Sequence, residues 1–307
     1  MPLPEIPVIH EVTTPVELFD RFETMSHSMV DACYRLYKKP TLVVADWLTD
    51  KWMKKNNPPY MNEIYAIEEK AKRPGILTLN LSYEWGCTTA AHDDPSGAGV
   101  RMLRALDWPV KGMGDKLVVA KQEGPAGEFY NMTWPGYVGA INGFAPNRFA
   151  IAMNIAPVPS HRLTVAGDWL YEHAKKWKSN DVPGSFLLRQ VFEQCSNYDD
   201  AVKMLTETPI CTPAFYTVAG MNRGEHIVIE RNYKEAVVHR EQSCVANQWI
   251  SDTWRPGFSR GHDSAGRLNL MREVHEGAAG DFDWYRAPIS NVETVLVFEA
   301  NPAKGTL

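Results

Sequence analysis

The chain has 307 residues, of which 44% are hydrophobic and 22% charged, the usage of an ordinary globular protein, which excludes a disordered or collagen-like chain. A formal net charge of -5, from 32 basic against 37 acidic residues with no long Lys/Arg cluster, leaves no cationic face for a phosphate backbone and argues against nucleic acid. Met1-Pro2-Leu3-Pro4-Glu5 has neither a basic flank nor an apolar run, and no stretch reaches membrane-spanning length. The expectation is therefore a cytoplasmic protein without an integral membrane segment.

In chain order, Thr14-Pro15 precedes Val16, Leu18, Phe19, Phe22, Met25, Met29, Cys33 and Leu36 at a helical period, with Thr13 or Thr14 as N-cap; this predicts a first long helix. Further helices are predicted over Thr41 to Lys54 and Met61 to Lys72, the latter broken by Arg73-Pro74-Gly75. The alternation of Ile76 to Tyr83 predicts a strand, and Trp85-Gly86-Cys87-Thr88-Thr89 follows. Beyond residue 87 strands are predicted at Leu117 to Ala120, Val138 to Ile141, Phe149 to Asn154, Ala214 to Ala219, His226 to Arg231, Ala236 to Arg240 and Thr294 to Phe298. Turns at Asn142-Gly143 and Asn222-Arg223-Gly224 mark antiparallel hairpins. Helices are predicted over Trp169 to Lys178, Pro183 to Cys195 and Tyr198 to Leu205, and Asp263-Ser264 opens another. With no internal repeat or flexible linker, these patterns predict a layered α+β sandwich.

Five cysteines, Cys33, Cys87, Cys195, Cys211 and Cys244, show neither CxxC nor zinc-type Cys/His spacing, so neither a disulfide scaffold nor a structural metal is expected. A Walker loop, a GxGxxG after a strand and HExxH are likewise missing from the sequence. His92-Asp93-Asp94, before Pro95-Ser96-Gly97, reads as a solvated turn rather than a metal site or a base. Cys87 differs by its surroundings. Gly86 removes side-chain bulk from the preceding peptide bond, so a thiol can approach the Gly86 carbonyl. The resulting N-to-S acyl shift, followed by hydrolysis, frees Cys87 as a new N-terminus. Its α-amine, with an ordinary pKa of about 7.7–8.0, then serves as the base beside the nucleophile. Gly86-Cys87 by itself also fits a buried cysteine at a strand start. Downstream, Arg104-Ala105-Leu106-Asp107-Trp108 sets Arg and Asp three apart, a pair that can hold an amine or form a surface ion pair.

Leu79-Asn80-Leu81-Ser82-Tyr83-Glu84, then Cys87-Thr88-Thr89, then Arg104-Ala105-Leu106-Asp107 resembles the acid ceramidase and N-acylethanolamine acid amidase group of N-terminal-nucleophile hydrolases. The wider relatives are choloylglycine hydrolases, penicillin V acylases and isopenicillin N acyltransferase. Later pieces keep the order: Gly136-Tyr137-Val138-Gly139, Phe149 to Asn154, Ala219-Gly220, Glu225 to Arg231, Ala246-Asn247-Gln248-Trp249 and Asp263 to Leu268.

The resemblance implies a four-layer αββα sandwich of antiparallel sheets with an N-terminal helical segment. It implies a precursor cleaved between Gly86 and Cys87: residues 1–86 form a small helical subunit ending in a strand, and 87–307 the catalytic subunit, the two remaining associated. It gives Cys87 as nucleophile and Arg104 and Asp107 as groups positioning its amine and the substrate. Asn247 is implied as an oxyanion donor, Asn154 as a lining of the oxyanion site and Arg267 as electrostatic support. Asn154 and Asn247 also fit turn-bridging roles, and Arg267 an ordinary helix pair. Departures loosen the substrate: Ala105 replaces an Asn, Gln248-Trp249 replaces an aromatic-acid pair, and Asn154-Ile155-Ala156-Pro157 stands where a branch-specific Glu is usual. The implied activity is hydrolysis of a linear non-peptide N-acyl amide. Alternatives are acyl transfer to another amine or a non-catalytic binding module. Trp85, Trp108, Trp134, Tyr137, Phe144 and Trp249 are candidate walls of an acyl pocket. No cofactor or metal is implied, and a homo-oligomer remains open.

Overall fold

The computed structural model describes residues 5–82, 85–278 and 280–307. The N-terminal part runs from β1 (Val8–Ile9) through α1 (Pro15–Arg21), α2 (Glu23–Tyr37), α3 (Lys39–Asn56), α4 (Met61–Ala71) and α5 (Ile76–Asn80). Thr14 caps α1 in a reciprocal box: its hydroxyl accepts from Glu17 N at 3.2 Å while the Glu17 carboxylate accepts from Thr14 N at 2.8 Å. The single long helix expected here is broken at Phe22, whose φ of -123° and ψ of 34° leave the helical region. Its ring packs against a small cluster of Leu18 and Val118.

The strand expected at Ile76 to Tyr83 is instead the helix α5, with Tyr83 and Glu84 outside the described residues. Residues 76–80 of the segment 1–86 are thus helical, and its last residue, Gly86, opens strand β2 (Gly86–Asp93). Gly75, at φ +105°, starts the turn, and the Asp46 carboxylate on α3 accepts from Gly75 N and, at 2.8 Å, from Thr78 N. Ile76, Leu77 and Leu81 enter one apolar cluster with Trp52, Met53, Ile64 and Ile67. A mixed apolar run takes whichever conformation its neighbours can pack, and here three helices surround it.

The rest of the chain supplies β2 (Gly86–Asp93), β3 (Val100–Asp107), β4 (Val118–Gly124), β5 (Gly127–Thr133), β6 (Asn142–Ala145), β7 (Phe149–Ile155), β8 (Val158–Pro159), α6 (Val165–Lys178), α7 (Gly184–Gln194), α8 (Tyr198–Glu207), β9 (Ala214–Ala219), β10 (His226–Asn232), β11 (Glu235–His239), β12 (Cys244–Val245), β13 (Gly257–Phe258), α9 (Ser264–Val274) and β14 (Thr294–Ala300). One eight-stranded sheet has the order β1-β4-β5-β6-β7-β9-β10-β11, and a four-stranded sheet the order β12-β2-β3-β14. Apart from the parallel β1–β4 pair, neighbours are antiparallel. Helices α7 and α8 cover the large sheet and α9 covers the small one, giving the αββα sandwich. Cys87, Met102, Leu106, Phe144 and Ala152 lie in the core between the sheets, whereas Ala90, Leu103 and Ala105 pack under Leu268 and Met271 of α9.

Three further expectations are corrected. Val138 to Ile141 is a connector, not a strand, because Val138 N donates to Asn80 Oδ1 and Ala140 N to Ser185 O, outside any ladder. Asn142-Gly143 lies inside β6 rather than at a hairpin turn. His92 and Asp93 belong to β2 instead of a loop, and β3 and β5 carried no strand signal strong enough to be read. Among the described residues no helix is long and apolar enough to cross a membrane.

The chain end is tied to the β2–β3 turn through buried Asp94, which accepts from Ser96 N at 2.8 Å, Asn301 Nδ2 at 2.8 Å and Lys304 Nζ at 3.0 Å, with Arg101 Nε at 3.2 Å. Burial works to raise its pKa, but the bonds from Ser96, Lys304 and Asn301 outweigh it and hold the carboxyl well below the usual range. A depressed folded-state pKa contributes stability above the unfolded value of about 3.9 that is lost as pH falls below it. Asp94→Asn is expected to cost about 1–3 kcal/mol at neutral pH. The gap in melting temperature should close as pH drops below about 4; a gap unchanged at acid pH would contradict this account.

Candidate active site

Strand β2 sends alternate side chains to opposite faces of the small sheet. Cys87, Thr89 and Ala91 face the large sheet; Thr88, Ala90 and His92 face α9, and His92 stacks edge-on against His275 at 5.5 Å, away from the thiol. The register pairs Cys87 with Leu106, Thr89 with Arg104 and Gly86 with Asp107. Directly paired residues share a face, so Arg104 points between the sheets and Asp107 towards α9. Arg104 and Asp107, 0% and 1% exposed, therefore form no surface ion pair: residues three apart on a strand cannot share a face.

Each polar atom of Cys87 is held by a different buried side chain. Its sulfur accepts from Arg104 Nη2 at 2.9 Å, its backbone nitrogen donates to Asn247 Oδ1 at 2.7 Å, and its carbonyl oxygen accepts from Arg267 Nη1 at 2.5 Å. Arg104 is saturated by neutral acceptors: Asn142 Oδ1 at 2.9 Å, Thr89 Oγ1 at 2.7 Å, Met153 O at 2.9 Å and Asn154 Oδ1. Arg267, on α9 behind an Asp263 N-cap, also donates to Thr88 Oγ1 at 2.7 Å and Asn247 Oδ1 at 3.1 Å, and lies 3.7 Å from Asp107. Asp107 is fixed by Thr294 Oγ1 at 2.8 Å and Asn291 Nδ2 at 3.0 Å.

The five side chains read from the sequence beside Cys87 thus gather around it, although not all in the orientation expected. Asn247 presents its oxygen to the Cys87 nitrogen and gives Nδ2 to Ile155 O at 2.8 Å, so in the uncut chain it is an acceptor for Cys87 and not a free oxyanion donor. Asn154 likewise gives Nδ2 to Ala246 O at 3.0 Å while its oxygen accepts from Thr89 at 2.8 Å. Sequence reading missed Asn142, Thr88, Asn291 and Thr294, as well as Ser264, whose hydroxyl accepts from Asn247 N at 3.0 Å. Thr88 had a signal, inside the Cys87-Thr88-Thr89 motif, and so had Ser264, as a helix opener; Asn142, Asn291 and Thr294 join through tertiary pairing that no local pattern reveals.

The six aromatic residues do not all wall one pocket: Trp85, Trp108, Trp134 and Tyr137 line a small cavity of about 50 Å³, and Phe144 and Trp249 lie outside it. Trp85, Trp108, Trp134 and Tyr137 pack edge-on into one another, Phe144 lies against Tyr130, and Trp249 sits elsewhere with Phe215 and Trp254. Ring edges attract ring faces, so these neighbouring rings close on themselves and leave room for no more than a small group. A cavity of about 1260 Å³ opens instead between α3 and α6, lined by Leu42, Leu48, Trp52, Leu79, Leu81 and Trp177, and it reaches Gly86, Arg260, Gly261, His262 and Glu293.

Burial pushes the Cys87 thiol pKa above its ordinary value, against the pull of Arg104 and then Arg267. The two guanidiniums lose proton affinity by burial, with Cys87 and Asp107 acting in the opposite sense. In the uncut chain the thiol is therefore neutral at pH 7. Native uncut protein treated with iodoacetamide at pH 7 should show no labelled Cys87 on peptide mapping, and full labelling after denaturation; rapid native labelling would contradict this environment.

A profile of the family described as acyl-coenzyme A:6-aminopenicillanic acid acyl-transferase matches residues 102–278. Acid ceramidase of Pan troglodytes is 30% identical over 247 residues, 71% of this chain and 60% of that protein. The N-acylethanolamine-hydrolyzing acid amidase of Oryctolagus cuniculus is 32% identical over 188 residues, 57% of this chain and 48% of that protein. The chain thus spans no more than about 60% of the length of these relatives. The solved Caenorhabditis elegans N-acylethanolamine-hydrolyzing acid amidase ortholog superposes with a TM-score of 0.55 at 21% identity, over 71% of this chain and 93% of that one, and shares the fold. The matched region begins inside β3 and ends just past α9, taking in Arg104, Asp107, Asn154, Asn247 and Arg267, and the chain belongs to the acyl-coenzyme A:6-aminopenicillanic acid acyl-transferase family.

Proposed function

We propose that the chain cuts itself between Gly86 and Cys87 and then acts as an N-terminal cysteine amidohydrolase on a linear, non-peptide N-acyl amide. The observation that carries this is the separate holding of the nitrogen, carbonyl oxygen and sulfur of Cys87 by Asn247, Arg267 and Arg104. A structural cysteine needs none of these, since a buried thiol behaves as a small hydrophobe.

In the cut, the Cys87 sulfur adds to the Gly86 carbonyl carbon, the carbon–nitrogen bond breaks, and the thiol proton passes to the departing nitrogen. Water then cleaves the thioester, returning the thiol and leaving Gly86 with a carboxylate. The freed α-amine stays beside Asn247 Oδ1, which accepts one of its hydrogens and aims the lone pair. With an ordinary pKa of about 7.7–8.0 it can take the thiol proton near neutrality, which no backbone amide can. Arg104 stabilises the thiolate that forms, and Arg267 keeps the Cys87 carbonyl from rotating away. In turnover the sulfur attacks the substrate carbonyl, the α-ammonium returns its proton to the leaving amine, and water releases the acid from the acyl-thioester.

The apolar cavity beside Gly86 suits an acyl chain. N-Acylethanolamines, the compounds in the name of one relative, are linear N-acyl amides. The fragments are expected to stay together, because Asn80 bonds Gly136 O at 3.1 Å and Val138 N at 2.9 Å while Val138 and Phe186 share the core of α1 to α5. Acyl transfer is the second reading, favoured by the description of the matched family; it uses the same acyl-Cys87 with an amine replacing water.

Intact mass and N-terminal sequencing are the test. The parent should split into two associated fragments, one beginning at Cys87, while Cys87→Ala remains whole at 34.6 kDa. Cys87→Ser should cut slowly and hydrolyse poorly, a hydroxyl being the weaker nucleophile. A parent chain that remains whole yet turns over an N-acyl amide would overturn the proposal. Turnover with and without an added amine separates hydrolysis, which yields acid, from transfer, which yields a new amide.

A further inference from the structure

The backbone at Gly86 is crossed by a second glycine. A Cβ built on Gly86 would stand 2.9 Å from the Gly261 Cα and 3.3 Å from Asp107 Cβ, and one built on Gly261 would stand 2.7 Å from the Gly86 Cα and 2.9 Å from Arg267 Nη2. Real Cβ contacts are essentially never below 3.0 Å, so neither position admits a side chain without movement. Gly261 also has φ +70°, a conformation that costs other L-residues energy.

The turn carrying Gly261 is anchored on both sides. Before it, β13 pairs with β8 and Arg260 Nε donates to Ala156 O at 3.2 Å; after it, Asp263 caps α9. Arg267 is wrapped by the same turn, donating to His262 O at 2.6 Å and Arg260 O at 3.3 Å. The guanidinium that binds the Cys87 carbonyl and the glycine that lies on Gly86 are thus parts of one rigid unit.

We infer that Gly261 is a positioning residue for the cut: its bare Cα presses on Gly86 and keeps the Gly86–Cys87 peptide within reach of the Cys87 sulfur while leaving room for Arg267. This deepens, and rests on, the self-cleavage reading above. A displacement of about 1 Å at a reacting centre can cost about a hundredfold in rate, and a Cβ at Gly261 must move Gly86, Arg267 or both.

The test follows the fraction of uncut full-length chain with time for the parent, Gly261→Ala and Gly261→Asn, with melting temperatures measured alongside. Asn tolerates positive φ and adds the same Cβ, so it separates bulk from backbone strain and serves if Ala fails to fold. Both variants are expected to slow the cut about ten- to a hundredfold. Added hydroxylamine should release less fragment than from the parent, because it traps the thioester and reports the attack step itself. A merely structural role would lower melting temperature without lowering the hydroxylamine-trapped fraction. A folded Gly261→Asn chain that cuts at the parental rate, or one that accumulates thioester, overturns the inference. A parent that never cuts refutes the self-cleavage reading instead.

Discussion

Two guanidinium groups buried on opposite faces of the four-stranded sheet bracket Cys87, and most of the site follows from keeping them satisfied. Taking a cation out of water costs several kcal/mol unless its donors are met. Arg104 meets that demand with neutral acceptors drawn from both sheets: Thr89 from β2, Asn142 from β6, and Met153 O and Asn154 from β7. The sandwich is thereby stitched through its middle at the thiol. Arg267 meets it from the other side with Cys87 O, Thr88 and the carbonyls of the 260–262 turn, and Asp107 lies close enough to offset its charge.

A cation between the sheets that has no carboxylate within ion-pair distance among the described residues is an arrangement suited to an anion that exists only part of the time. While the thiol is protonated, Arg104 is held by dipoles. When a thiolate forms, the guanidinium is already in place 2.9 Å away and needs no reorganisation. The helical segment complements this chemistry by supplying the cavity. Helices α3 and α5 form most of its apolar wall, while Gly86 and Gly261 are its contact with the site. A segment that precedes the proposed cut is thus also part of the surface that a substrate would meet after it.

Much of the site was legible in the sequence because order along the chain survives folding. Cys87 after Gly86, Arg104 and Asp107 on one strand, Asn154, Asn247 and Arg267 occur in an order that a family resemblance can carry. The strands at Ala214–Ala219 and Phe149–Ile155 were legible because alternation and bounding turns agree with their final environment. At Ile76 to Asn80 local alternation pointed the wrong way, since Asp46 and the surrounding helices hold the segment in a turn. Val138 to Ile141 failed for a related reason: its backbone donors are taken by Asn80 and Ser185 instead of a strand.

By itself, then, the sequence singled out the residues that the fold brings together around Cys87 and an α+β sandwich to hold them, because residue identity and hydrophobic period are local properties. The tertiary structure alone decided which way each group points. Strand pairing put Arg104 and Asp107 on opposite faces, turned the Asn247 oxygen towards the Cys87 nitrogen, brought Asn291 and Thr294 to Asp107, and laid Gly261 on Gly86. Those relations join residues far apart in the chain, and their physical cause is register and close packing, neither of which is written in any short stretch of sequence.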